Sequence, residues 1–131
     1  MNSILLVEDD LTLAIMYQDQ LQLDGFDVSL AHDGEEGLQK AISKKPSLIL
    51  LDIAMPKMDG MSMLTELRKD AWGQNVPVII LTIMDPNERM LQQVMELKPA
   101  YYLFKANSTP QDVSDKIKEV LSLSENPQPA S

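Results

Sequence analysis

Cysteine is absent from the 131 residues, which removes disulfides, thiolate nucleophiles and zinc–thiolate clusters together. Positive charge is scarce: 11 Lys and Arg against 20 Asp and Glu leave a formal net charge of −9. Such a surface argues against non-specific nucleic-acid binding, which rewards Lys and Arg. No apolar run approaches the roughly 20 residues needed to span a bilayer. Met1-Asn2-Ser3 leads directly into a strand pattern without a basic stretch, so no signal peptide is expected. Together with the missing cysteine, this predicts a cytoplasmic location. No internal repeat and no second domain is visible. A hydrophobic content of 44% and a charged content of 24% are ordinary for one soluble domain with a single sizeable core.

What the chain does contain is strict alternation of strand and helix patterns. Leu48-Ile49-Leu50-Leu51 runs into Asp52, followed by a loop punctuated by Pro56 and Gly60. A continuous aliphatic run bounded by turn signals is a strand covered on both faces. Ser3–Val7 and Val76–Thr82 read the same way, Ala100–Lys105 is a fifth strand, and Asp27–Ala31 alternates as an edge strand does. Between them lie five helices. The first has Ala14, Tyr17 and Leu21 at helical spacing and closes at Asp24-Gly25. The second opens on a capping box of Asp33 and Glu36, carries a core face of Leu38, Ala41 and Ile42, and stops at Lys44-Lys45-Pro46. The third is capped by Asp59, with Met61, Leu64 and Leu67 inward. The fourth starts at Asp85-Pro86-Asn87-Glu88 and ends near Leu97-Lys98-Pro99. The fifth starts at Thr109-Pro110 and has Val113, Ile117, Val120 and Leu121 on one face. The pattern predicts an α/β flavodoxin-like fold, a doubly wound five-stranded parallel sheet of order 2-1-3-4-5. Residues 1–123 form the domain, and 124–131 are a disordered tail or the start of a linker.

Ligands of open parallel sheets bind at the carboxyl ends of the strands. Those ends carry Glu8 and Asp9, then Asp52, Thr82 and Lys105. Three carboxylates at one sheet edge repel unless a cation joins them, and oxygen ligands without His or Cys select a hard divalent ion such as Mg²⁺. Acids, metal, hydroxyl and ammonium together suit phosphoryl transfer to a carboxylate, with Asp52 as nucleophile. Each residue also has a plain structural use. Asp10 is expected to cap the first helix, Thr is at home in strands, and most lysines are solvated. Their joint placement at four strand ends carries the functional reading.

Ile4-Leu5-Leu6-Val7-Glu8-Asp9-Asp10, Leu51–Gly60, Val78-Ile79-Ile80-Leu81-Thr82 and Tyr102-Leu103-Phe104-Lys105 resemble the receiver domain of two-component response regulators. The likeness covers roughly Asn2 to Leu123, and the Met-Pro-x-Met-Asp-Gly loop in register with Asp52 makes it specific. The resemblance implies that Asp52 accepts a phosphoryl group from a phosphohistidine on a sensor histidine kinase or phosphotransfer protein. It implies that Asp9, Asp52 and the backbone carbonyl of Ala54 hold Mg²⁺, with Glu8 acting through water. Thr82 would hydrogen-bond the phosphoryl oxygen, Lys105 would pair with it, and Tyr102 would change rotamer as Thr82 moves. Output would pass through the face of the fourth helix, fifth strand and fifth helix, to a downstream effector or a homodimer partner. Such a domain is no enzyme on external substrates and promotes only its own phosphorylation and dephosphorylation.

Three positions depart from the family pattern. Ile83 replaces the usual small residue after the threonine, which predicts slower phosphorylation or slower phosphate loss. Ala106 replaces the usual proline after the lysine, and Lys98-Pro99-Ala100 replaces a Gly-Ala step. The fourth helix also carries Met90, Leu91, Val94, Met95 and Leu97, more apolar surface than one buried stripe needs. The extra methionines are expected to tuck under the neighbouring loop; the alternative is a partner surface. An aspartyl-phosphate phosphatase would want a second acid two residues after the nucleophile, where Ala54 stands. A flavin or nucleotide module would have small residues in place of Glu8-Asp9-Asp10. A receiver-like module that has lost phosphorylation finds no support at the five site positions, and only Ile83 and Ala106 speak for it.

Overall fold

The computed structural model describes residues 2–53, 59–82 and 88–125. Strand β1 (Ser3–Val7) lies parallel between β2 (Asp27–Ala31) and β3 (Leu48–Leu51), with Ile4 opposite Val28 on one side and Leu48 on the other. β4 (Val78–Thr82) and β5 (Tyr101–Phe104) extend the sheet in the order β2-β1-β3-β4-β5. This is the expected flavodoxin-like arrangement. β4 begins at Val78 rather than at Val76 because Pro77 has no N–H for the ladder; its carbonyl still accepts from Ile49 at 3.0 Å.

The helices are α1 (Leu11–Leu23), α2 (Gly34–Lys44), α3 (Gly60–Lys69), α4 (Glu88–Glu96) and α5 (Pro110–Glu125), with a 3₁₀ turn over Lys105–Asn107. Helix α5 therefore runs past the boundary expected at Leu123. Asp10, Asp33 and Asp59 each accept a backbone N–H of the first turn, from Leu13, Glu36 and Ser62. The Glu36 carboxylate also takes the N–H of His32, at 2.6 Å. The Asp85-Pro86 start of α4 lies outside the described residues.

The two sheet faces hold two cores. Leu5, Val7, Ile49, Leu51, Val78 and Ile80 pack with α2, α3 and Val94 of α4. Ile4, Leu6, Leu48, Leu50, Ile79 and Leu81 pack under α1 and α5. Two expectations for the helices are corrected. Ile42 is 42% exposed, because α2 meets the sheet through Gly37 and Ala41, a Cβ at Gly37 standing only 3.0 Å from Val7 Cγ2. A helix that approaches on small residues turns its flanking Ile away. On α3 the fully buried methionine is Met63, while Met61 is half-buried.

Candidate functional site

Strand side chains alternate between faces, so the residues two positions after Leu6 and Leu50 point the same way as those leucines. Those residues are Glu8 and Asp52, and both therefore lean toward the α1/α5 side of the carboxyl edge. Lys105, in the turn after β5, reaches into the same space. Its Nζ lies 3.0 Å from Asp52 Oδ2 and also donates to a carboxylate oxygen of Glu8. All three side chains are nearly sealed, at 9% exposure for Lys105, 5% for Asp52 and 2% for Glu8. Asp9 is exposed at the rim, and one oxygen from each of Glu8, Asp9 and Asp52 falls within 4.8 Å of the others.

The electrostatics follow from that burial. Desolvation pushes the Glu8 carboxyl up to about 7, helped by the neighbouring Asp52 carboxylate and opposed by Lys105. For Lys105, burial works against the charge. The hydrogen bonds and charges of Glu8 and Asp52 outweigh it and leave the ammonium above its ordinary value. With Glu8 ionised, two buried carboxylates facing one ammonium leave unbalanced negative charge beside the Asp9 carboxyl. A donor set of three carboxylates without imidazole or thiolate fits a hard divalent cation. A cation there would offset the negative charge these carboxylates bring together.

Thr82 is fully buried at the end of β4, on the parity of Val78 and Ile80, and so turns to the α3/α4 side. Tyr102 is half-buried against the same core, its ring edge-on to Phe104 at 5.4 Å. The sequence-predicted residues thus form two groups at one edge: Glu8, Asp9, Asp52 and Lys105 on one side, Thr82 and Tyr102 on the other. Ala54 and Ile83 lie outside the described residues. The Lys105–Ala106 peptide is trans. Two positions carry more than the sequence reading gave them. Tyr17, read only as a core residue, is a buried phenol whose pKa is raised first by burial, with smaller contributions, of both signs, from the charges of Lys105, Glu8 and Asp52. Gly60 is the other: a Cβ there would meet the Asp52 carbonyl oxygen at 2.4 Å. The Asp-Gly pair was a visible signal for a turn, but nothing in the pattern showed what the glycine approaches.

The response regulator receiver domain model matches residues 4–118. The chain is 36% identical over 129 residues to the alkaline phosphatase synthesis transcriptional regulatory protein PhoP of Bacillus subtilis, covering 98% of this chain and 52% of that protein. It is 34% identical over 125 residues to the probable transcriptional regulator ycf27 of Cyanophora paradoxa, covering 95% and 50%. The chain spans about half the length of these curated relatives. Among solved structures, a CheY-like response regulator receiver domain protein from Methanospirillum hungatei JF-1 superposes with a TM-score of 0.88 at 27% identity, covering 96% of this chain and 98% of that one. No helix among the described residues is long and apolar enough to cross a membrane.

Proposed function

Because the chain belongs to the response regulator receiver domain family, we propose that Asp52 is the phosphoacceptor at which it receives a signal. The observation that carries this assignment is the Lys105 Nζ at 3.0 Å from Asp52 Oδ2, beside the Glu8 and Asp9 carboxylates. An Asp52 oxygen attacks phosphorus, and the P–N bond of a phosphohistidine on a sensor kinase or phosphotransfer protein breaks. Lys105 is placed to hold a phosphoryl oxygen once its bond to Asp52 is exchanged for one to the phosphate. Asp9 and Asp52, with Glu8 through water, would hold Mg²⁺, whose contribution is neutralisation of phosphoryl charge. The backbone carbonyl of Ala54 completes that donor set in our reading.

Thr82 takes the role of the switch hydroxyl and Tyr102 that of the aromatic that follows it. The burial of Thr82 on the α3/α4 side gives a route by which a phosphoryl group on Asp52 is felt by α4 and β5. We assign the α4–β5–α5 face to a downstream effector or to a second copy of the chain. The named relatives are transcriptional regulators about twice this length, which favours an effector domain as the recipient. The setting is cytoplasmic, and the only turnover is of the phosphoryl group on Asp52 itself.

The deciding experiment is intact mass after incubation with acetyl phosphate and Mg²⁺. One added phosphoryl mass, lost in Asp52→Ala and on chelation of the metal, is the expected result. An unmodified wild-type chain would overturn the assignment, unless Ile83→Ala restores the gain and so traces the block to the side chain after Thr82.

A further inference from the structure

Among the side chains of α4 whose burial is described, little apolar surface faces the sheet. Only Val94 is buried, while Leu91 is 42% and Met95 60% exposed. The far end of the helix is held differently. Arg68 of α3 donates from Nε to the Leu97 carbonyl at 2.8 Å and from Nη2 to the Lys98 carbonyl at 3.1 Å. From Nη1 it donates to the carbonyls of Gly73 at 2.7 Å and Val76 at 2.8 Å. All four acceptors are backbone carbonyls. Two close α4 and two belong to the segment between α3 and β4. A guanidinium suits that position, since carbonyls at a helix C-terminus lack intrahelical partners and lie at the negative end of its dipole.

The turn that Arg68 grips is a strained one. Lys98 has φ +54°, a left-handed conformation that favours glycine, and Pro99 follows it. The chain contains an internal control. Lys45 ends α2 in the same way, with φ +48° and Pro46 next, and Arg68 takes no part there. Strained backbone persists where its surroundings over-determine it. At Lys98 the surroundings include two bonds from one guanidinium.

We propose that Arg68 is a clamp that holds the left-handed Lys98 turn and makes the C-terminal end of α4 its stationary end. Displacement of α4 by phosphorylation then enters from Glu88. That directional part rests on the reading of Asp52 as phosphoacceptor; the clamp itself does not.

A double-mutant cycle on the unphosphorylated full chain tests the clamp. Arg68→Met lowers the thermal midpoint by roughly 5–10 °C. Lys98→Gly, which supplies a residue that needs no clamp, recovers at least half of that loss. Lys45→Gly gives the same shift in the wild-type chain as in the Arg68→Met variant. A Lys98→Gly shift that is also the same in both backgrounds overturns the proposal. Where Arg68→Met fails to fold, Arg68→Lys keeps the charge and loses the fork, and the same cycle is run with it. Amide exchange gives the second readout. In the variant, exchange at Leu97 and Lys98 rises at least tenfold while Lys45 is unchanged; equal acceleration at all three points to general destabilisation and against a clamp. For the directional part, the chain is treated with acetyl phosphate and Mg²⁺, and added mass on Asp52 is checked first. No added mass in either the wild type or Ile83→Ala sinks the phosphoacceptor reading and the directional claim with it, leaving the cycle to decide the clamp. Where only Ile83→Ala gains mass, the amide shifts are read in that variant. With mass added, amide shifts at Glu88–Leu91 and none at Leu97–Ala100 are expected. Comparable shifts at both ends overturn the stationary end.

Discussion

Gly60 touches the backbone of Asp52 so closely that a Cβ would stand 2.4 Å from the Asp52 carbonyl oxygen and 2.5 Å from Ile53 Cα. Both obstacles are main chain, so no side-chain rotation relieves the clash. The first residue of α3 is thereby fixed against the phosphoacceptor candidate, with Gly60 N–H also donating to the Ile53 carbonyl at 3.3 Å. Gly60→Ala is expected to destabilise the fold by about 2 kcal/mol or more, the range of forced overpacking, and to slow phosphorylation of the fraction that folds. Urea denaturation and acetyl phosphate labelling measure the two effects. An alanine variant of unchanged stability would mean that α3 can slide away from Asp52 freely.

Glu8 predicts how stability depends on pH in the absence of divalent cations. Burial places its folded pKa at about 7, above the ordinary value of 4.5. Below pH 4.5 both states carry the proton and the full contribution is present. As pH rises through about 7, the folded state must give up a proton that the unfolded state has already released, and stability falls. The loss is on the order of 3 kcal/mol when complete. In EDTA the urea midpoint should therefore decline between about pH 5 and pH 8, and Glu8→Gln should flatten that slope. Mg²⁺ at the alkaline end should restore the midpoint, because it binds the ionised carboxylates. A slope unchanged in Glu8→Gln would place the titration elsewhere.

Asp24 gives the opposite sign. Its carboxylate ends α1 and accepts from Ser114 Oγ, a fully buried hydroxyl of α5, and from Gln20 Nε2 at 3.1 Å. Those bonds, with Lys118 at 3.8 Å, hold its pKa below the ordinary 3.8. A depressed carboxyl contributes stability above its unfolded pKa and loses it as pH falls through the folded one. Ser114→Ala removes the leading bond, so acid unfolding of the variant should lose part of its dependence below about pH 4. Identical acid limbs in both proteins would show that the hydroxyl does not hold the carboxylate in solution.

The centre of the sheet was legible because β1, β3 and β4 are written as aliphatic runs, the pattern of a parallel strand covered on both faces. Strand β2 showed itself as an edge by alternation. Asp10, Asp33 and Asp59 were legible as caps because capping needs only a local side chain and a local N–H. The site was legible at Asp52 and Glu8 for a topological reason: every central strand delivers its last residue to the same edge. The pairing of Lys105 with Glu8, 97 positions apart, depends on how β1 and the turn after β5 meet across the sheet, which no local pattern encodes. Ile42 was misjudged because helical spacing shows which residues share a face but not how closely the helix approaches. Gly37, by letting α2 sit against Val7, decided that. Arg68 carried no signal, since its partners are carbonyls and carbonyls have no sequence.

Leu91 and Met95 test where α4 spends its apolar surface. The expected tuck under a neighbouring loop is not what Met95 does, at 60% exposure, and Leu91 beside it is 42% exposed. The two are four positions apart and so share a helix face, with Gln92 and Glu96 around a shallow surface depression. A tucked pair replaced by serine would lose several kcal/mol, whereas an exposed pair loses within about 0.5 kcal/mol. The double variant Leu91→Ser, Met95→Ser should therefore unfold at the wild-type urea concentration and still gain a phosphoryl mass on Asp52. If the face belongs to an effector or to a second copy, the phosphorylated variant should lose association that the phosphorylated wild type shows in sedimentation. A large stability loss would return both side chains to the interior, and full stability with unchanged association would move the output surface away from this part of α4.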